Sequence, residues 1–475
     1  MNASPSEALH AIWRDARLPD ASLARATLTG AEPVLPSSFA VGVAAQSSIA
    51  AAALAAADIW QSRTGQKQSV SVDMRDAALE CTGFFTIDGR IPEAWDKISG
   101  LYPCGAEVGE PGFVRIHANF AHHRDGALKL LGLPPGDKTD KPEVERALRK
   151  WRAADFEQAA ADSKLVVSAL RSFAEWDAHP QSQAIAAQPV VSIEKIGDAD
   201  PVPLAPLHER QQPLHGIRVL DLTRILAGPV AGRTLAAYGA DVMLINSPNL
   251  PNVEAIIDTS RGKLSAHVDL ATAAGGDALR ALVRDANVFV QGYRPDGIAG
   301  RGFGPAELAK LKPGIVCVSL SAYSHLGPWA GKRGFDSLVQ TATGFNHAEG
   351  EAFGGGPKAL PMQILDFATG FLMAFGAQAA LLRQSREGGS WLVRVSLART
   401  GLWIRQLGRV ADGTKMAKPD LAILKSLLQS YDSGYGKLVA LPHAAKFSAT
   451  PAHWSRPSMP PGSHEPVWPR AAIAA

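Results

Sequence analysis

The stretch that most constrains the fold runs from Leu360 to Leu382 and reads LPMQILDFATGFLMAFGAQAALL. After Pro361 it is apolar on every side and carries one charged residue, Asp366. A helix that is hydrophobic all round is a buried helix, so we expect this segment to lie in the core. A lone carboxylate at its head is costly to bury unless it is hydrogen-bonded or used in chemistry. From these residues alone, Asp366 is interpreted as an N-cap, with catalysis as the alternative.

Composition restricts the class of protein. A chain of 475 residues is too long for one ordinary core, so two or more domains are expected. The net charge of +3 is spread out without a Lys/Arg run, which argues against nucleic acid as the main partner. Cys81, Cys104 and Cys317 lie far apart and form no CxxC pair, which suggests a reducing, cytoplasmic compartment and no structural metal. The N-terminus lacks a signal-peptide pattern, and the Ala-rich run from Val41 to Trp60 is broken by polar residues, so no membrane span is expected.

The second half of the chain alternates apolar strands with helices. Strands are predicted at Ile217–Leu222, Asp241–Ile245, Ala286–Val290 and Gly314–Leu320, with a helix over Val230–Tyr238 that has Pro229 at its first position. This alternation predicts an α/β fold with a Rossmann-like parallel sheet flanked by helices, whose ligands collect at the carboxyl ends of the strands. The GxGxxG fingerprint is absent because the first loop reads TRILAGP, which disfavours a dinucleotide site of the usual kind.

The first part of the chain resembles the segment around Asp366. A shift of 323 residues lays the sequence QSR-x-G at Gln61 on the same pattern at Gln384, and the V-x-V strand at Val70 on the one at Val393. Turn chemistry and strand period agree without a gap, so we interpret the pair as an internal repeat, with chance similarity as the alternative. Val43 then stands where the second copy has Asp366, and the first copy cannot do the same chemistry.

The expected domains follow from these patterns. Residues 91–197 are predicted to form a smaller α/β domain, in which His117, His122 and His123 lack a zinc spacing and are interpreted as loop or packing residues. The Pro-rich segment at residues 198–214 is predicted to be a linker. The complete division is a partial repeat at 1–90, the small domain at 91–197, the linker at 198–214, a Rossmann-like domain at 215–423 and a C-terminal tail at 424–475.

Several cations lie on the loops that follow the predicted strands. They are Arg224, Arg261, Lys263, Arg294, Arg301 and Arg333. Arginines at the strand ends of one sheet suit a ligand that carries phosphate. Ordinary surface Arg and Lys residues are the alternative interpretation.

An ordered set of motifs resembles the family III CoA-transferases (the CaiB/BaiF group). The motifs are GIRVLDLTRILAGP, SRGKLSAHVDL, FVQGYRPDGIAGRGF, VSLSAYSHLGPWAGKRGFDSLVQ and LPMQILDFATG, and they span about residues 213–402. Segments 44–80 and 112–195 are similar to parts of the same family out of order. The chain therefore resembles a permuted or partly duplicated member.

The resemblance implies a CoA-transferase with acyl-CoA and a carboxylic acid as substrates, usually an interlaced homodimer. It implies that Asp366 is the nucleophile, attacking the thioester to give a mixed anhydride and then an aspartyl-CoA thioester. An Asp is ionised at neutral pH without help, so no activating base is expected. The implied CoA contacts are Arg224, Ile225, Leu226, Ala227, Val268, Asp269, Tyr293, Arg294, Arg301, Arg333, Gly334, Phe335 and Asp336.

Two other functions remain open for the sequence. An acyl-CoA racemase or isomerase would use two acid–base groups, but relatives of that kind carry His where this chain has Phe335, which cannot shuttle a proton. A non-catalytic acyl-CoA-binding protein is the other alternative. Oxalate is disfavoured as a substrate because a Gln of relatives that use it is replaced by Leu226.

Overall fold

The computed structural model describes residues 3–294 and 297–469, so the outermost residues of the predicted first and last segments lie outside the described residues. The α-helices of the described residues are α1 Pro5–Asp15, α2 Val41–Thr64, α3 Met74–Glu80, α4 Ala121–Leu130, α5 Lys141–Leu148, α6 Ala153–Asp162, α7 Phe173–Ala178, α8 Pro180–Ile185, α9 Ala227–Ala237, α10 Ile256–Thr259, α11 Ala273–Arg284, α12 Pro305–Leu311, α13 Asp336–Ala342, α14 Phe345–Ala352, α15 Ile364–Glu387, α16 Leu397–Gln406 and α17 Leu421–Leu427. Short 3₁₀ helices lie at Asp20–Arg25, Ala106–Val108, Ala299–Arg301 and Gly413–Lys415.

The strands of the same residues are β1 Ala26–Thr29, β2 Val70–Asp73, β3 Phe85–Ile87, β4 Gly100–Cys104, β5 Gly112–Ile116, β6 Val167–Ala169, β7 Ser192–Gly197, β8 Arg218–Leu222, β9 Asp241–Asn246, β10 Lys263–His267, β11 Val288–Gln291, β12 Val316–Ser321, β13 Ser390–Ser396, β14 Gln429–Tyr431, β15 Leu438–Ala440 and β16 Ala445–Phe447.

The central sheet has the strand order β10-β9-β8-β11-β12-β13-β7. Numbered along the chain from β8, its six parallel strands follow the spatial order 3-2-1-4-5-6 of a doubly wound Rossmann sheet, while β7 joins the edge antiparallel to β13. The order reverses between β8 and β11, where Val219 pairs with Val288. Ligands of such sheets bind outside the carboxyl ends of the strands at this reversal. The predicted α/β fold with a Rossmann-like parallel sheet is confirmed.

A smaller α/β unit precedes this sheet in the chain, as predicted. Strands β4, β5 and β6 form an antiparallel sheet. Helices α5 and α6 cover it, and Leu128, Val144, Leu148 and Phe156 fill their shared core. Its helix α4 begins at Ala121 and reaches the carboxyl edge of the large sheet, as described below.

Helix α15 is buried along almost its whole length, as its apolar sequence predicts. Its N-cap is Gln363, which makes no side-chain capping bond, and Asp366 is the third residue of the first turn. The interpretation of Asp366 as the N-cap is therefore wrong. Helix α9 also differs from prediction: it begins at Ala227, and Pro229 is its third residue. Gly228 allows the first turn to approach the β8 loop closely, because a Cβ at this position would lie 2.3 Å from Thr223 Cβ.

Helices α2 and α15 pack against one another, and Gln378 Nε2 donates to the carbonyl of Ala52 over 3.0 Å. Both are long and apolar enough to cross a membrane, but the most apolar windows of α2 and α15 are 94% and 100% buried inside the protein. The shift of 323 residues that aligns their sequences also carries both ends of α2 onto both ends of α15. It further carries Asp73, the N-cap of α3, onto Ser396, the N-cap of α16.

Strands from the last part of the chain pair with strands from its first part. Strand β16 pairs with β2, and β15 joins β14 to β3 in a small antiparallel sheet. A buried ion network links these segments to the large sheet. Glu80 Oε1 lies 3.2 Å from Arg233 Nη2, His443 Nδ1 lies 3.0 Å from Glu80 Oε2, and Arg233 also pairs with Asp258. Burial raises the pKa of Glu80, but the charge and hydrogen bond of His443, together with Arg233, outweigh burial and hold the pKa at about 2.

Candidate active site

A cavity of about 370 Å³ opens where the order of the large sheet reverses. The loops after β8, β11 and β12 form one wall, and the small α/β unit forms the opposite wall. Its lining residues are Phe120, His122, His123, Val166, Leu222, Arg224, Ile225, Leu226, Ala227, Leu250, Pro251, Gly292, Tyr293, Arg294, Leu320, Ser321, Ala322, Ala330, Lys332, Arg333, Gly334, Phe335, Asp366 and Leu397. The first turn of α15 therefore meets the ligand-binding edge of the sheet in one cavity.

Most of the residues implied by the family resemblance meet in this cavity. Those that line it together with Asp366 are Arg224, Ile225, Leu226, Ala227, Tyr293, Arg294, Arg333, Gly334 and Phe335. Val268, Asp269, Arg301 and Asp336 are not among its lining residues. Val268 is packed in the core, Asp269 accepts a bond from Asn249 Nδ2 at 3.1 Å, and Arg301 donates to the carbonyl of Leu270.

Two of the predicted loop cations are not available to a ligand. Lys263 is fully buried, and its Nζ lies 2.8 Å from Asp221 Oδ2. Arg261 is buried as well, with Nη2 2.6 Å from Asp258 Oδ1. The interpretation of these two side chains as part of a phosphate-binding set is wrong, because each is neutralised by a carboxylate inside the fold.

Asp366 lies at the floor of the cavity and is 8% exposed. None of the described residues donates a hydrogen bond to its carboxylate, whose surroundings are apolar helix and open cavity. Burial raises the pKa of Asp366 well above its ordinary value, and the charge of Asp336 raises it further. The expectation that this carboxyl is ionised at neutral pH without help does not account for this burial, which favours the neutral form of the carboxyl.

Asp336 supplies the cap that Asp366 does not. It is buried at the start of α13, where its Oδ2 accepts the backbone N–H of Asp366 over 2.9 Å and its Oδ1 accepts Gln340 Nε2 over 2.5 Å. Burial raises the pKa of Asp336 to about 7, against the hydrogen bonds from Asp366, Gln340 and Leu365 and the charge of Arg115. The implied role of Asp336 as a CoA contact is corrected: it caps the helix behind the cavity.

Two of the histidines belong to the cavity, which sequence reasoning missed. His122 and His123 are lining residues, whereas His117 stacks on Phe335 with ring centroids 4.1 Å apart. Burial lowers the pKa of His123 to about 4, and the charges of His122, Arg333 and Arg224 lower it further. The available signal was their position just after a strand, in the run VRIHANFAHH.

Three cations of the cavity are tethered to its walls, namely Arg224, Arg333 and Lys332. Arg224 lies over the ring of Phe120 at 5.4 Å and donates to the carbonyl of Pro251. Arg333 Nη1 donates to the carbonyl of Lys164 over 2.6 Å, which joins the large sheet to the small unit. Lys332 Nζ lies 2.9 Å from Glu157. Bonds to neutral carbonyls leave the charges of Arg224 and Arg333 uncompensated and favour an anionic ligand.

A second cavity of about 240 Å³ lies beside the first. Its lining is largely apolar and includes Phe289, Phe303 and Leu392, and it shares Tyr293 and Arg294 with the first cavity. Asp366 is not among its lining residues, so this carboxyl borders the first cavity and not the second.

Comparison with known proteins finds similarity to the same family over part of the chain. Residues 214–420 match the sequence model of CoA-transferase family III. An acyl-CoA transferase of Gibberella moniliformis is 33% identical over 265 residues, which cover 54% of this chain and 47% of the relative. A succinate–glutarate CoA-transferase of Agrobacterium fabrum is 35% identical over 198 residues, covering 38% and 49%. The chain spans about half the length of the curated relatives it matches.

The crystal structure of Rv3272 from Mycobacterium tuberculosis is 31% identical and covers 42% of this chain and 59% of that one, with a TM-score of 0.38. A CaiB/BaiF family protein from Brucella suis is 24% identical, covers 48% and 65%, and has a TM-score of 0.37. Residues 214–420 of this chain are therefore similar to the CoA-transferases of family III.

Proposed function

We propose that this protein is a CoA-transferase that moves CoA from an acyl-CoA to a carboxylic acid, with Asp366 as the nucleophile. The observation that carries the proposal is an unpartnered, buried carboxyl on the floor of an electropositive cavity at the sheet reversal. A carboxyl group that is buried without a hydrogen-bond donor is destabilising, and such groups are concentrated at functional sites. The relatives named above as acyl-CoA and succinate–glutarate CoA-transferases support the same reaction class.

The proposed reaction needs no proton transfer after Asp366 is ionised. A carboxylate oxygen attacks the thioester carbonyl carbon, the C–S bond breaks, and the product is a mixed anhydride with free CoA thiolate. The thiolate then attacks the Asp366 carbonyl carbon, which releases the first acid as a carboxylate and leaves an aspartyl-CoA thioester. The acceptor carboxylate attacks that thioester and displaces the thiolate. Attack of the thiolate on the acceptor's acyl carbon releases the new acyl-CoA and restores Asp366.

Coenzyme A or its thioester is the proposed ligand of the cavity. The loops after β8 and β11 bring the cations Arg224 and Arg294 to its rim, where phosphate oxygens accept charge-assisted hydrogen bonds. Val268, Asp269 and Arg301 remain proposed contacts for a part of CoA that extends beyond the cavity. The acyl group itself is not specified by this proposal.

Trapping the intermediate tests the proposed nucleophile. The protein is incubated with an acyl-CoA, treated with hydroxylamine or borohydride, and digested for peptide mapping by mass spectrometry. We expect modification at Asp366, and we expect Asp366→Ala to abolish turnover. Exchange of the α-proton without an adduct would support an isomerase, and saturable acyl-CoA binding with neither result would support a binding protein.

The proposal includes the quaternary state and location implied by the resemblance, a homodimer in the cytoplasm without nucleic-acid or membrane partners. Light scattering on the purified protein tests the dimer directly. A monomeric mass across the concentrations used in the activity assay would rule out an interlaced dimer.

A further inference from the structure

The N-terminus of helix α4 faces the cavity that contains Asp366. The helix has ten residues, and its N-cap, Phe120, provides no side-chain cap. Phe120, His122 and His123, which make up this helix end, all line the cavity. The first N–H groups of a helix together carry a partial positive charge, so an uncapped helix end at a cavity favours an anion.

A second feature at this wall also points to a ligand. His123 is 6% exposed, and its Nδ1 is buried without a hydrogen-bond partner among the described residues. The described residues provide no partner for Nε2 either, and the ring borders the cavity. Buried polar groups in proteins are normally hydrogen-bonded, so an unpartnered imidazole at a cavity wall is satisfied when a ligand is present.

The surrounding charge determines which kind of ligand fits. Arg224 and Arg333 lie close enough to His122 and His123 to lower the pKa of both rings. Both guanidinium groups also line the cavity. A neutral imidazole can donate one N–H, and together with two guanidinium groups and a helix N-terminus it forms a site for anionic oxygens.

We propose that this wall, formed by the α4 N-terminus, His123 and Arg333, with Arg224 adding positive charge beside it, binds the carboxylate of the acceptor acid. The inference rests on the proposed function, in which a free carboxylate must be held opposite Asp366 before it attacks the aspartyl thioester. Because the wall and Asp366 border the same cavity, an acid bound there faces the acyl-enzyme. A phosphate of CoA presents the same chemistry, and the experiment below separates the two.

Kinetic separation of the two substrates tests the assignment. We expect His123→Leu to raise the KM for the acceptor acid at least about tenfold, as loss of one hydrogen bond to a charged group predicts. The KM for acyl-CoA and the yield of trapped Asp366 adduct should stay near wild type, and His123→Gln, which keeps an N–H donor, should recover part of the loss. His117→Leu removes an equally buried imidazole that does not line the cavity and controls for packing.

Binding without turnover gives a second, independent measurement. Titration of acetate into the full-length protein should shift the imidazole NMR signals of His123 but not those of His453, which does not line the cavity. A raised KM for acyl-CoA with an unchanged KM for the acceptor would assign the wall to CoA phosphate and overturn the proposal. Absence of any Asp366 adduct in the wild-type protein would instead refute the proposed function, whatever the acetate titration shows.

A different observation carries a second inference, on the repeated segment. The backbone N–H groups of Gly42 and Val43, at the start of α2, donate to Glu32 Oε1 over 2.7 and 3.1 Å. The N–H of Asp366 donates to Asp336 in the equivalent place at the start of α15. Each helix is thus capped by a carboxylate from an earlier segment, and the capped residues Val43 and Asp366 correspond under the shift of 323 residues.

We infer that residues 41–80 and 364–403 are two copies of one structural unit, of which only the second contains a reactive carboxylate. Packed side chains surround Val43, the residue that stands in the first copy where the second copy has Asp366. Val43 is 4% exposed, and a Cβ at Gly42 would lie 2.5 Å from Val34 Cγ2 and 3.0 Å from Met74 Cγ. The first helix end is filled by packed side chains where the second opens into a cavity.

Adduct stoichiometry and matched capping variants test this inference. We expect intact mass spectrometry to show one adduct per chain after trapping. Glu32→Ala and Asp336→Ala should each lower the Tm because each removes the oxygen that accepts the helix N–H groups, and only Asp336→Ala should change the pH dependence of activity. An adduct mapped within residues 1–90, or a Glu32→Ala variant whose Tm is unchanged, would overturn the inference.

Discussion

Replacing Asp336 with Asn tests how the charge of this residue affects the ionisation of Asp366 at the start of α15. Asn keeps the size of Asp and an oxygen that can accept the N–H of Asp366, now 2.9 Å from Asp336 Oδ2. It removes the negative charge that raises the pKa of Asp366. In the proposed reaction the ionised form of Asp366 is the nucleophile, so we expect activity to rise with pH through the pKa of this group. Removing a neighbouring negative charge lowers that pKa and extends activity to lower pH.

The size of the effect follows from Coulomb's law. Two unit charges about 5 Å apart, at an effective dielectric constant of about 20, repel by about 3 kcal/mol, or about 2 pKa units. Asp336 has a pKa of about 7 and is itself partly protonated near neutrality, which reduces the repulsion there. We therefore expect the midpoint of kcat/KM against pH to fall by about 1 to 2 units in Asp336→Asn.

The assay is the pH profile of kcat/KM for acyl-CoA, measured for the wild type, Asp336→Asn and Asp336→Ala. Asp336→Ala also removes the charge but leaves the N–H of Asp366 uncapped, so we expect the same direction of shift with a Tm loss from the missing cap. A midpoint that stays in place or moves to higher pH in Asp336→Asn would refute the electrostatic coupling between the two carboxyls.

Three further predictions concern stability and the reactive group. Asp366→Asn should abolish turnover and leave the Tm near wild type or above it, because the carboxyl accepts no hydrogen bond from the described residues; a Tm loss as large as that of Asp336→Ala would contradict this. Glu80 has a pKa of about 2 in the fold against 4.5 unfolded, so it contributes about 3 kcal/mol that is complete above pH 4.5 and lost as pH falls toward 2. In Glu80→Gln, the free energy of unfolding measured with urea should no longer fall as the pH is lowered from 4.5 toward 2. If it falls as it does in the wild type, the ion network around Glu80 is not the cause of the acid dependence. Lys263→Met leaves Asp221 buried without its partner and should lower the free energy of unfolding by about 3 to 5 kcal/mol, most of which Lys263→Met/Asp221→Leu should recover.

The large sheet could be predicted because its strands are buried on both faces. Such strands are continuous apolar runs, and the runs ending at Leu222 and Leu320 were recognisable for that reason. Strand β7 was missed because it lies at the edge, and its residues from Ser192 to Gly197 are half-buried or exposed, with none fully buried. Edge strands have one neighbour and little burial, so hydrophobic pattern carries little information about them.

The candidate site was predicted only in part, because several of its contacts join segments that are distant in the sequence. Asp366 was conspicuous as the single charge in an apolar helix, but its cap comes from a residue on another helix, and no local pattern indicates that contact. The charged pair of Lys263 and Asp221 joins two strands through a long-range contact, which made Lys263 look like a loop cation. His123 reaches the cavity only because the small unit packs over the strand ends. Contacts between distant segments decide each of these cases.

At the start of α15, Asp336 caps the helix and the carboxyl of Asp366 is left without those hydrogen bonds. A carboxylate that accepts the N–H groups of a helix end is stabilised, and that stabilisation makes it a poorer nucleophile. Here Asp336 accepts the N–H of Asp366, so the side chain of Asp366 stays free of those bonds. The start of α2 shows that the cap is separable from the chemistry, because Glu32 performs it over Val43, where no carboxylate is present to react. Capping therefore maintains the helix in both places, and the reactivity that we propose for Asp366 requires its side chain to be left out of the cap.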